Sequence, residues 1–152
     1  MGRIAGIARH DRPLGPMEVL DRAELIEGQG IAGDFRGTRK AGSLGQNGVV
    51  LIEADDWAAA VEECRAEVPW FQRRANLLVE GLDLPQQSGV RLRIGDAVLV
   101  EITQECAPCE RMEALHPGLR NALTPDWRAG ARARVVSGGF VAVGDEIRAA
   151  DA

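Results

Sequence analysis

The sequence predicts a mainly β fold, a small β-barrel with a few short helices, on three observations. Short alternating or apolar segments bounded by glycine recur along the 152 residues. Only one segment has the length and periodicity of a long amphipathic helix. Two stretches, Gly89–Val98 and Gly138–Ile147, also repeat one pattern in register: glycine, alternating strand, Gly-Asp turn, return to apolar residues. Glycine supplies the positive φ of a tight turn, and aspartate can bond back to neighbouring backbone. Glycine-tipped corners of this kind let a small sheet close on itself.

The elements follow in order. Arg3–Ala8 and Ala23–Glu27 read as early strands. Gly28, Gly30, Gly33, Gly37, Gly42, Gly45 and Gly48 punctuate a long loop carrying Asp34, Arg36, Arg39 and Lys40. Val49-Val50-Leu51-Ile52 is a continuous apolar run of strand length. Glu53 to about Glu67 reads as the main helix, with Asp55 and Asp56 in its first turn and Trp57, Ala60, Val61 and Cys64 at helical spacing. Pro69 ends it. Asn76–Glu80 is the next strand, followed by turn residues to Gly89. Ala97–Thr103 is a strand that leads through Cys106-Ala107-Pro108-Cys109 into a short helix, Glu110 to Leu115. Ala131–Ser137 and Phe140–Val143 read as a hairpin around Gly138-Gly139. No linker divides the chain, so residues 1–152 are expected to form a single domain.

Composition narrows the function classes. The chain is 45% hydrophobic and 27% charged, ordinary values for a globular domain. Its net charge of −5 argues against a nucleic-acid-binding body, which needs a basic surplus to neutralise phosphates. No run approaches the roughly 20 apolar residues of a membrane span, and the N-terminus lacks a signal-peptide core. Three cysteines without dense spacing suit a reducing compartment, so the expected location is cytoplasmic. Lys40 is the only lysine, leaving one candidate for Schiff-base chemistry, and His10 and His116 are too few for a histidine-rich metal cage.

The sharpest local feature is Cys106-Ala107-Pro108-Cys109. A cysteine where a helix begins faces free backbone N–H groups that favour thiolate, the form that attacks sulfur or ligates metal. Four readings stay open: half of a zinc site completed by Cys64 and His116, a redox dithiol, two packing cysteines, or one reactive cysteine with Cys106 as helper. Cys64 itself lies on the apolar stripe of the main helix, where packing is its expected role. The second feature is basic: Arg36, Arg39 and Lys40 in the glycine-rich loop, then Arg73 and Arg74 before Asn76. Glycines let backbone approach an anion and arginine forks bind phosphate, although a solvated surface accounts for the same charges.

Four segments together resemble the MOSC domain, named for the C-terminal domain of molybdenum-cofactor sulfurases. They are Gly28-Gln29-Gly30-Ile31-Ala32-Gly33-Asp34, Arg74-Ala75-Asn76-Leu77-Leu78-Val79-Glu80-Gly81-Leu82-Asp83-Leu84, Ile94-Gly95-Asp96 and Pro108-Cys109. They occur in family order along nearly the whole chain, as in a small stand-alone member. Where many relatives carry histidine after the first Gly-Asp, this chain has Phe35 and Arg36, and Cys106 adds a second thiol beside the motif cysteine.

The resemblance implies a barrel related to the one inserted in pyruvate kinase. It implies a functional Cys109 that carries sulfur as a persulfide or ligates molybdenum. Arg36, Arg39, Lys40, Arg74 and Asn76 become candidates for holding molybdopterin and its phosphate. The expected function is sulfur transfer or molybdenum-cofactor handling through Cys109, with Cys106 as the resolving thiol. The alternatives are a cofactor-dependent reductase of N-hydroxylated compounds and a non-catalytic anion- or partner-binding module. Expected partners are a sulfur-donor or electron-donor protein and a small-molecule substrate, with neither nucleic acid nor membrane.

Overall fold

Alternation along the chain becomes inside and outside in the computed structural model, which describes residues 1–35 and 48–150. Its strands are β1 (Gly2–Arg9), β2 (Glu18–Leu20), β3 (Arg22–Ile26), β4 (Gly30–Ile31), β5 (Val49–Glu53), β6 (Leu77–Glu80), β7 (Arg91–Ile94), β8 (Val98–Glu105), β9 (Ala131–Ser137), β10 (Gly139–Ala142) and β11 (Glu146–Ala149). Its helices are α1 (Ala54–Glu63), α2 (Glu110–Leu115) and α3 (Leu119–Ala122). Strands β11, β7, β8, β9, β5, β6 and β1 pair in that order, and β1 pairs back onto β11, closing a barrel. The pairings around this ring are antiparallel except β5–β6, whose parallel register requires a crossover that includes α1. Strand β2 extends the sheet from β1, while β10, β3 and β4 form a separate small sheet.

Period-two patterning fills the barrel. Val98, Val100 and Ile102 from β8 meet Ala131, Ala133 and Val135 from β9, with Leu77 and Val79 from β6 and Leu92 and Ile94 from β7. Ile4 and Ile7 of β1 both reach this interior despite their odd spacing, because the β1–β6 register shifts between Ile4 and Gly6. The unbroken apolar run of β5 has a simple cause. Val49 and Leu51 face the barrel, whereas Val50 and Ile52 face a second core with Trp57, Met112, Leu119 and Leu123 from the helical side. A strand buried on both faces shows no alternation.

Three expectations need correction. The main helix ends at Glu63, not near Glu67, because Arg65 turns left-handed (φ 57°) and the chain doubles back. That return brings the Val68 carbonyl to Trp57 Nε1 at 3.0 Å, a tertiary contact with no signature in helical periodicity. Ala131–Ser137 and Phe140–Val143 do not form a hairpin: β9 stays in the barrel while β10 pairs with β3, Phe140 opposite Glu24. The two echoed segments likewise part company. Gly95-Asp96 turns a true hairpin between β7 and β8, but the turn at Gly144 passes the chain from the small sheet to the barrel, where β11 pairs with β7 and β1.

Glu53 adds a pH dependence. It sits where β5 becomes α1 and accepts a hydrogen bond from Leu84 N (3.1 Å). Burial first, and then the neighbouring Asp56 and Asp83 charges, raise its pKa from 4.5 to about 7. The folded chain therefore binds this proton more tightly than the unfolded chain. The resulting stabilisation is complete below pH 4.5 and is lost as pH rises through about 7. Glu53→Gln is expected to gain about 1–2 kcal/mol over the parent at pH 8, a figure discounted for partial exposure, and almost nothing at pH 4. Urea unfolding at the two pH values checks this; equal gains at both would contradict it.

Candidate functional site

The site grows from the short segment that precedes β6. Residues Trp70–Arg73 make one 3₁₀ turn, and Arg74 caps it in the left-handed region (φ 68°), its N–H bonded to the Phe71 carbonyl. Left-handed backbone is costly for a side chain with a Cβ, so the surroundings must hold it there. The reversal at Arg74 separates the neighbouring side chains into distinct tasks.

Arg73 is buried, and its guanidinium ties the β8–α2 connection to the segment just before β9. Its Nε donates to the Ala129 carbonyl (2.9 Å), and its Nη2 donates to the Cys106 carbonyl (2.9 Å) and to Cys106 Sγ (3.1 Å). Cys106 N–H in turn donates to the Gly130 carbonyl (2.9 Å). Gly130 is required there: its φ is 110°, and a Cβ would collide with the Leu51 carbonyl oxygen. One buried guanidinium thus fixes the start of the Cys106–Cys109 loop against β9.

Asn76 is fully buried and works as a splice. Its Oδ1 accepts from Val50 N–H (2.9 Å), its Nδ2 donates to the Ala8 carbonyl (3.1 Å), and its own backbone bonds the same two residues. The side chain thereby adds a rung joining β5 to β1 where β6 begins. This bridging role in the fold is what the contacts of Asn76 describe, and Asn76 does not line the cavity below.

The cavity has a volume of about 260 Å³ and is lined by Cys106, Cys109, Arg73, Arg74, Arg111 and Arg132, with Val50 and Met112 among its apolar walls. Cys109 is exposed and immediately precedes the six-residue α2; Cys106 is 7% exposed. Arg74 Nη2 donates to the Gly15 carbonyl (2.7 Å). Burial first, then the adjacent Arg111 charge, push its pKa down, while Asp34 acts in the opposite sense. Arg132 alternates with the inward Ala131 and Ala133 and so points outward, beside Val50 on β5. Its Nε is buried without a hydrogen-bond partner among the described residues. A buried donor left unpaired costs free energy, which an incoming acceptor would recover.

Of the candidate residues, Cys106, Cys109 and Arg74 share this cavity. Arg36, Arg39 and Lys40 lie outside the described residues. Sequence patterning alone does not single out Arg111 or Arg132, which also line the cavity. Arg111 follows Cys109 by two residues, a usable local signal. Arg132 offered only outward alternation, since nothing local shows that β9 runs past the cysteine loop.

The zinc reading loses its ligands. His116 Nε2 meets the Cys64 carbonyl (2.8 Å), and no three metal-ligating side chains converge among the described residues. All three cysteines are free thiols. A phosphate-bearing molybdenum cofactor does fit the donors present: several guanidinium groups, one with an unpaired N–H, beside a soft cysteine sulfur.

Exposure sets an order of thiol reactivity. Iodoacetamide at neutral pH is expected to modify Cys109 first, half-buried Cys64 later and Cys106 last, as read by peptide mass mapping. Modification of Cys106 ahead of Cys109 would contradict this arrangement.

Solved structures share the architecture. The YuaD protein from Bacillus subtilis superposes with a TM-score of 0.80 at 19% identity, covering 97% of this chain and 94% of that one. YiiM from Geobacillus stearothermophilus gives 0.73 at 15% identity, covering 99% and 76%. YiiM from Escherichia coli gives 0.68 at 16% identity, covering 99% and 70%. At these identities the likeness establishes the fold alone. No curated protein sequence matches the chain. The sequence profile of the MOSC domain matches residues 45–148, which include β5 through β10, both cavity cysteines and the four arginines of the cavity. MOSC domains are associated with molybdenum-cofactor-related proteins. No helix among the described residues is long and apolar enough to cross a membrane. With the profile spanning most of the chain and the barrel agreeing with it, this chain belongs to the MOSC domain family.

Proposed function

We propose that this MOSC domain carries sulfur on Cys109 inside a cavity that takes an anionic partner. The observation behind the proposal is the meeting of an exposed cysteine with Arg73, Arg74, Arg111 and Arg132 in one concavity of a chain whose net charge is −5. In the loading step the Cys109 thiolate attacks the outer sulfur of a sulfane donor. The Cys109 S–S bond forms, the donor's S–S bond breaks, and the donor leaves as an anion. An acceptor nucleophile then takes the outer sulfur and returns Cys109 to thiolate. Arg73, 3.1 Å from Cys106 Sγ, keeps the neighbouring thiol and its loop in place during the exchange.

A second reading has its own support, the unpaired Arg132 Nε. Here Arg132, Arg74 and Arg111 would hold the phosphate of a molybdopterin-type cofactor and Cys109 would ligate its metal. That group supplies two-electron redox chemistry at the metal when bound, and an electron-donor protein would be the partner. The chain's own part is to bind the phosphate, to present Cys109 and to admit a small-molecule substrate. Reduction of N-hydroxylated compounds belongs to this reading.

Elemental and sulfane analysis of protein purified from a cofactor-producing host separates the two. Cyanolysable sulfur near one equivalent per chain without molybdenum supports the carrier, and stoichiometric molybdenum supports the cofactor reading. Neither element would overturn both and leave an anion-binding module.

A further inference from the structure

The same cavity constrains the chemical class of the sulfur donor. We infer that Cys109 takes its sulfur from a small oxyanion bearing a terminal sulfane sulfur, of the thiosulfate class, whose oxygen end is held by Arg132, Arg74 and Arg111. This rests on the sulfur-carrier reading above. The guanidinium groups differ in what they have left to offer a ligand. The hydrogen bonds of Arg73 run to Ala129 and Cys106, so it serves the protein rather than a ligand. Arg132 keeps a buried Nε with no acceptor among the described residues, and a neutral, purely apolar donor would leave it so. Arg111 is exposed and sits close enough to Arg74 for their like charges to oppose each other. Like charges gathered in a concavity are relieved by an anion that bridges them, and tetrahedral oxyanions match the arginine fork.

Cys109 lines that same cavity, so an oxyanion seated on the arginines can offer a sulfur bonded to its central atom. Thiosulfate meets both demands in one molecule. The Cys109 thiolate attacks the outer sulfur, a Cys109 S–S bond forms, and the S–S bond of thiosulfate breaks. Sulfite leaves with the electron pair of that bond, and the persulfide remains as its anion. Total charge is three negative on both sides, and no other oxidant or reductant enters. The departing sulfite is itself a dianion, which the same guanidinium groups stabilise as charge moves onto it.

The test uses full-length protein reduced and freed of small thiols, with two probes: thiosulfate, and the hydropersulfide anion generated from sodium disulfide. With thiosulfate, intact mass should rise by one sulfur on Cys109 with one sulfite released per chain. Arg132→Lys keeps the charge but loses the fork, and Arg111→Ala removes an exposed side chain whose loss leaves the core intact. Each should lower the ratio of thiosulfate to hydropersulfide loading rates at least tenfold. Loading by hydropersulfide alone would overturn this inference while sustaining the carrier reading. No adduct from either probe would overturn both. An unchanged ratio in both variants would also overturn the inference, because the arginines would then play no part in recognising the donor.

Discussion

Cys109→Ser is expected to abolish sulfur loading, bringing cyanolysable sulfur per chain down to background, while Cys106→Ser loads normally and releases sulfur more slowly. The difference follows from the two environments. Cys109 is exposed at the cavity, whereas Cys106 is buried with its Sγ accepting from Arg73. Serine at 106 keeps an acceptor for that guanidinium, so the loop should stay fixed. What it removes is a thiol able to attack the Cys109 persulfide, a step that forms a Cys106–Cys109 disulfide and expels hydrosulfide. Loss of loading in Cys106→Ser with retention in Cys109→Ser would reverse the assignment. Intact-mass measurement of sulfur uptake reads Cys109→Ser, and sulfur release under single-turnover conditions reads Cys106→Ser.

Asn76→Ala is expected to cost the fold about 3 kcal/mol, because it strands the buried Val50 N–H and Ala8 carbonyl that the amide now satisfies. Against a typical stability of 5–15 kcal/mol that is a large share, and it falls where three barrel strands meet. Urea unfolding should show a lower midpoint with an unchanged slope, since the barrel still buries the same surface. A loss below about 1 kcal/mol would mean that the rung is dispensable.

These two expectations differ in how far the sequence alone could reach them. The barrel was legible because its causes are local: period-two burial in Val98–Ile102 and Ala131–Val135, and glycine corners at Gly95 and Gly144. The Pro-Cys step and the Asn76-Leu77-Leu78-Val79-Glu80 strand were legible through resemblance to a family. What stayed hidden depends on contacts distant in sequence. Arg73 meets Cys106 across 33 residues, and Asn76 meets Ala8 across 68. Arg132 reads as an ordinary outward strand residue until β5 and β8 are paired on either side of it. The hairpin expected at Gly138-Gly139 failed for the same reason, since β10 found a better partner in β3 than in its sequence neighbour.

If one cavity joins anion recognition to the chemistry of Cys109, the reactivity of that thiol must respond to a bound anion. Alkylation of Cys109 by iodoacetamide, a neutral probe, is measured with increasing inorganic phosphate at an ionic strength held constant with chloride. An anion seated on Arg74, Arg111 and Arg132 fills the space beside the sulfur, so the rate should fall several-fold along a saturable curve. Arg74→Ala should move that curve to roughly tenfold higher phosphate, as expected for one lost charge-assisted contact. A Cys109 rate indifferent to phosphate, in a protein shown by calorimetry to bind it, would place the anion elsewhere and rule out a shared cavity.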